Sequence, residues 1–176
     1  MTIGELIEGL VRDWPTPTDS PRVETLLSLR ARCCATPVTP GAELPAAVLG
    51  PLVAKLPPDV AELWSGLESA RLFEDPDFSQ WGLVIGSPVR ARALTRSFRA
   101  DRAADYLPGD LVIGEFLGDS ELLLARCDTA ADDYGRIMVV LPIDARREWY
   151  VAGETFAIFL RDYARAAGAK FWERPA

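Results

Sequence analysis

Five carboxylates, Asp119, Glu121, Asp128, Asp132 and Asp133, stand in or beside two short polar stretches, Gly-Asp-Ser at 118–120 and Asp-Thr-Ala-Ala-Asp-Asp-Tyr-Gly at 128–135. Acids grouped like this can hold a divalent cation, work in pairs as acid and base, or present charge to a basic partner. The spacing fails for a cation: Asp128 with Asp132 and Asp133 lacks the alternating ligands of a calcium loop and its closing Glu. Glycosidase chemistry needs two carboxylates at a set separation in a cleft, one with a raised pKa, and the sequence marks neither. Two readings of the acids stay open. They are a solvated rim of turn formers, or a negative surface that meets a basic protein.

The other reactive residue types narrow the choice. Histidine is absent, which removes Ser-His-Asp and Cys-His catalysis and the commonest ligand of catalytic zinc. Cys33, Cys34 and Cys127 have neither zinc spacing nor a disulfide pattern, and read as reduced thiols of a cytoplasmic protein. Gly114, Gly118 and Gly135 form no phosphate loop. The expectation is therefore a chain without metal, cofactor or catalytic residues.

Between Asp101 and Asp144 ten acidic residues face three arginines, so this segment alone carries the net charge of the whole chain, −7. Such a balance argues against nucleic acid and anionic membranes and in favour of a basic protein partner. The stretch SPVRARALTRSFRA runs the other way, with Arg90, Arg92, Arg96 and Arg99 and no acid. Only Phe98 is at hand to stack a base, so its arginines read as a solvated helix face that pairs with neighbouring acids. Trp14, Trp64 and Trp81 fit apolar patterns and belong to the core. Trp149 and Trp172 lie in less patterned sequence, and Trp149 is a candidate partner anchor, since tryptophan is enriched at binding hot spots.

These residues need elements to position them. A chain of 176 residues is long enough for a real core. No apolar run reaches the roughly 18 residues of a membrane helix, and MTIGELIEGLVRDW opens with acids where a signal peptide has basic residues. Thr2 and Glu5 have capping-box spacing before a helical period through Trp14. Ser20-Pro21 starts a second helix toward Cys34, TPVTPG is a linker, and Leu44-Pro45 opens a third. Val60, Leu63, Trp64 and Leu67 form one face of a helix that follows Pro57-Pro58, and FEDPDFSQ is a polar loop. Trp81–Gly86 is a strand and Ser87 caps the arginine helix.

Then come strands led by Val112-Ile113 and by Leu122–Leu124, joined by the Gly-Asp-Ser turn. The leucine run does not alternate and is expected to be covered on both faces. Arg136–Ile143 is a third strand, read as central in the sheet. The stretch from Trp149 to Glu154 leaves little room for another. Phe156, Phe159, Leu160 and Tyr163 mark a closing helix. The fold class is α+β: a mostly antiparallel meander flanked by helices, with an N-terminal helical extension.

The run of LPPDVAELW, WGLVIGSP, DLVIGEFLGDSELLLARCD, GRIMVVL and ETFAIFLRDY resembles the SUKH superfamily, also called the SMI1/KNR4 family, over roughly residues 56–171. Glu115 departs from the family pattern, which favours an apolar or small residue there. The resemblance implies a domain at 44–176 behind an extension at 1–43. It also implies a non-catalytic protein-binding role, most often that of a bacterial immunity protein neutralising a toxin such as a nuclease. Scaffold proteins of the same family are the alternative, and a carboxylate-dependent hydrolase is a second one. The partner surface is expected at Asp119, Glu121, Asp128, Asp132, Asp133 and Trp149.

Overall fold

The computed structural model describes residues 2–19, 30–39 and 45–173. Helix α1, Ile3–Asp13, starts at the capping box. The Thr2 hydroxyl accepts from the Glu5 N–H at 3.1 Å, and the Glu5 carboxylate accepts from the Thr2 N–H at 2.7 Å. The Ile3 N–H donates to Glu62 at 2.8 Å, which ties the first turn to a later helix.

Eight strands follow one another in a single antiparallel meander: β1 Thr18–Asp19, β2 Arg30–Pro37, β3 Leu67–Glu74, β4 Leu83–Ile85, β5 Asp110–Phe116, β6 Leu122–Arg126, β7 Ile137–Val140 and β8 Tyr150–Gly153. Between them lie α2, Pro45–Leu49, α3, Pro58–Gly66, and α4, Pro88–Asp101, and the closing helix is α5, Phe156–Arg165. The α+β meander is thus the observed architecture.

Alternation assigns the faces. Leu111, Ile113, Leu123, Ala125, Ile137 and Val139 point into the main core with Ile7 of α1, Val60 and Leu63 of α3, and Phe156, Phe159 and Tyr163 of α5. Val112, Leu124, Met138 and Val140 point to the other side, under Phe98 of α4 and Trp149. The leucine run is covered on both faces for this reason. Each buried Val, Leu, Ile, Phe or Met among them contributes about 1.5–3 kcal/mol by leaving water.

Three expectations need correction. Arg30–Pro37 is a strand, so the second helix does not reach Cys34, and the 1–43 segment is not wholly helical; Ser20–Leu29, with Val23, Leu26 and Leu27, lies outside the described residues. Leu67 ends α3 and begins β3, which reaches into the stretch read as a loop. β7 is next to the sheet margin, not central, because a further strand, β8, does fit after Trp149. The sequence left the packing of α1 open; it lies in the same core as α3 and α5, with Ile3, Ile7 and Leu10 buried.

Candidate protein-binding surface

In a meander, consecutive turns fall at opposite ends of the shared strand. β6 therefore separates Asp119 and Glu121, before it, from Asp128, Asp132 and Asp133, after it. The five acids do not gather at one edge, and each group has its own chemistry.

At the second end the acids meet buried arginines. Asp110 opens β5 directly opposite Arg126, which closes β6. Both are buried, and Arg126 donates to Asp110 at 2.9 Å and to both oxygens of Asp133 at 3.1 Å. Arg146, from the β7–β8 connection, donates to Asp110 at 2.6 Å and its N–H to Asp105 at 3.0 Å. Arg102, at the C-terminal end of α4, reaches Asp105 at 2.7 Å and the Asp144 carbonyl at 2.8 Å. The Leu107 N–H completes the shell of Asp110 at 2.8 Å.

Two buried charges stay in a core only when their attraction and added hydrogen bonds offset the loss of hydration, and here they do. Burial pushes the Arg126 pKa down, but Asp133 and Asp110 outweigh it and hold the guanidinium above its ordinary value. The Arg146 N–H is the largest influence on Asp105, lowering its pKa. Asp133 is thus an internal brace. Asp128, 3.9 Å from Arg126, and the exposed Asp132 remain as turn residues in water. Trp149 is buried: its ring packs on Phe98 and beneath Arg146, and its Nε1 donates to the Asp144 carbonyl at 3.2 Å. It belongs to the core and is no exposed anchor.

At the first end three segments converge. The β5–β6 turn carries Asp119 and Glu121, the C-terminal segment carries Lys170 and Glu173, and the β3–β4 loop carries Asp77. Lys170 stands 2.9 Å from Asp119, 2.8 Å from Glu121 and 3.4 Å from Glu173. Burial raises the pKa of Glu121, against the pull of Lys170. For Lys170 burial acts to lower the pKa, but bonds to Asp119 and Glu121 prevail and hold it above the ordinary lysine value. Glu121 is buried and faces inward; Asp119 and Glu173 keep nearly half of their side-chain surface in water.

The β3–β4 loop is fixed to the same end. Trp81 Nε1 donates to the Gly168 carbonyl at 3.1 Å, and the Leu117 N–H to the Gly82 carbonyl at 2.8 Å. Gly118 sits at φ +90, where a Cβ would overlap the Gln80 carbonyl, so glycine alone allows the turn to meet the loop. Asp77 is held by Arg30 at 2.9 Å and stays partly exposed. Counting Arg30 and Lys170 against Asp77, Asp119, Glu121 and Glu173, this end carries net negative charge. The participation of Asp77, Lys170 and Glu173 was not apparent in the sequence, because it depends on long-range packing.

All four arginines of the basic helix are exposed, and one of them pairs with an acid. Arg90 forms a two-pronged pair with Glu115 at 2.7 and 3.0 Å, which explains why a carboxylate is tolerated on β5, and Arg99 lies over the Tyr106 ring.

The hollows among the described residues include three. An apolar groove of about 680 Å³ runs along Val38, Leu56, Trp64, Leu67 and Val89, with Glu68 at its margin. A second of about 310 Å³ is bordered by Pro58, Asp59 and Tyr134. The third, near Trp172, is bordered by Asp119. Each of these three has one carboxylate in its lining. Among the described residues no group of three or more His, Cys, Asp or Glu side chains is arranged to hold a metal ion, and no helix is long and apolar enough to cross a membrane. The chain matches no protein-family model, and comparison with curated proteins returns no match.

Proposed function

We propose that this chain binds a protein and catalyses no reaction, and that it is an immunity protein of SUKH type. Its acidic end, formed by Asp77, Asp119 and Glu173, covers the basic active site of a cytoplasmic toxin. A nuclease fits best, because a groove that grips phosphate presents Lys and Arg to any competing negative surface.

One observation carries this reading. The three segments that supply the exposed carboxylates are locked together by Lys170, by Arg30 and by backbone bonds, so the charged surface exists before the partner arrives. A preorganised surface loses little entropy on binding, and complementary charge speeds encounter.

The test takes the catalytic domain of any large toxin-like protein found encoded directly beside this chain in its host genome, and the lack of such a gene counts against the reading. The purified protein should inhibit that domain at a one-to-one ratio, and binding should weaken as salt rises. The double change Asp119→Asn with Glu173→Gln removes charge without adding bulk and should lower affinity about tenfold. Affinity indifferent to salt and to both substitutions would remove the acidic end from the mechanism. A chain that neither binds nor inhibits the domain would remove the immunity reading altogether.

A further inference from the structure

Phe78 sits at the tip of the β3–β4 loop with 61% of its surface exposed, more than any other aromatic residue among those described. Exposed rings are usually found on mobile chain. This one is not. The Asp75 carboxylate, itself buried, accepts from the N–H groups of Asp77 and Phe78 at 3.0 and 3.2 Å. The Ser79 N–H donates to the Asp75 carbonyl and the Asp75 N–H to the Trp81 carbonyl, both at 3.0 Å. Ser79 is held at φ +54, a conformation that a non-glycine residue adopts only when its surroundings impose it. Arg30 grips Asp77 on one side, and the Gly118 turn abuts Gln80 on the other. The loop is therefore built to keep its backbone fixed while the ring stays in water.

A rigidly held, exposed aromatic ring is a common form of binding hot spot. The charged margin of its loop runs from Asp77, paired with Arg30, through the contact of Gln80 with the Gly118 turn to Asp119, which Lys170 links to Glu173. We infer that Phe78 is the anchor of the acidic end, and that the partner receives it in an apolar pocket bordered by Lys or Arg side chains. The negative margin selects such a pocket over an anionic lipid surface. This inference rests on the reading of the acidic end as a protein-binding surface and adds to it the residue that provides affinity.

The experiment again uses the domain that such a gene encodes as probe, with calorimetry on the full chain. Phe78→Ala should weaken binding about thirtyfold, as hot-spot truncations do. Phe78→Tyr should stay close to the parent, and Phe78→Leu should fall between. The urea midpoint should be nearly the same in all three, because most of the ring is already in water. If the domain binds parent and Phe78→Ala equally, the anchor is refuted while the acidic end stands. If it binds neither, both fall. Ring-dependent binding to vesicles of phosphatidylcholine and phosphatidylglycerol, with none to the toxin domain, would overturn the inference in favour of a membrane.

Discussion

Arg126 faces Asp110 across the β5–β6 ladder at 2.9 Å, and both side chains are almost wholly removed from water. Asp110 is also held by Arg146, and Arg126 by Asp133, so three loops depend on this one pair. Arg126→Ala leaves Asp110 buried with part of its shell missing. The expected loss is about 3–5 kcal/mol in urea unfolding. Arg126→Met with Asp110→Asn, which removes both charges and keeps each side chain close to its size, should recover much of that loss. A double change no better than the single one would show that the loss comes from the missing bonds to the three loops and not from an unpaired Asp110 charge.

The Lys170–Glu121 contact gives a pH dependence with a definite sign. Burial raises the Glu121 pKa above 4.5, so the folded state holds that proton more firmly than the unfolded chain. Its effect on stability is therefore favourable at low pH and declines as pH rises from 4.5 through the raised value. Lys170 compensates. Its own pKa is raised, so its contribution is complete below 10.5 and disappears only as pH climbs through the higher folded value. Lys170→Met should then cost about 2–3 kcal/mol at pH 8 and much less at pH 4, where Glu121 is protonated in either case. Urea titrations at the two values measure it, and an equal loss at both would contradict the assignment.

The thiols should divide sharply. Burial pushes Cys33 and Cys127 up to about 12, whereas Cys34 is only partly buried. Reaction requires thiolate and access. At pH 8 one thiol, Cys34, should react with an aromatic disulfide reagent, and the other two only after denaturation. Peptide mapping of the labelled site decides it. Rapid labelling of Cys127 would mean that the second end of the sheet opens readily.

The sequence-based reading did best where the signal was local. Thr2 with Glu5, the Gly-Asp-Ser turn and the phenylalanine period of α5 are each written in residues a few positions apart, and all three appear in the structure. It did worst at β2 and β3. RARCCATP and LESARLFE are rich in Arg, Ala, Leu and Glu, which favour helices, and poor in β-branched residues. They become strands by pairing with each other, a long-range gain that overrides local preference. The buried network was hidden for a similar reason. Asp110 and Arg126 do lie at matching depth on either side of the turn, a signal that could have been found. Arg146 and Asp105 are brought in only by the path of the β7–β8 connection. Trp149 looked unpatterned because its partners, Phe98 and Arg146, come from different elements.

Because β2 fills the place beside β3, the opening residues act as a shutter over the sheet. A fragment trimmed back to the family-like portion would bare the amide and carbonyl groups of Leu67–Glu74 along a raw margin. That margin would sit beside apolar surface from which α1 had been withdrawn. Aggregation, and not a smaller working protein, is what such trimming should yield.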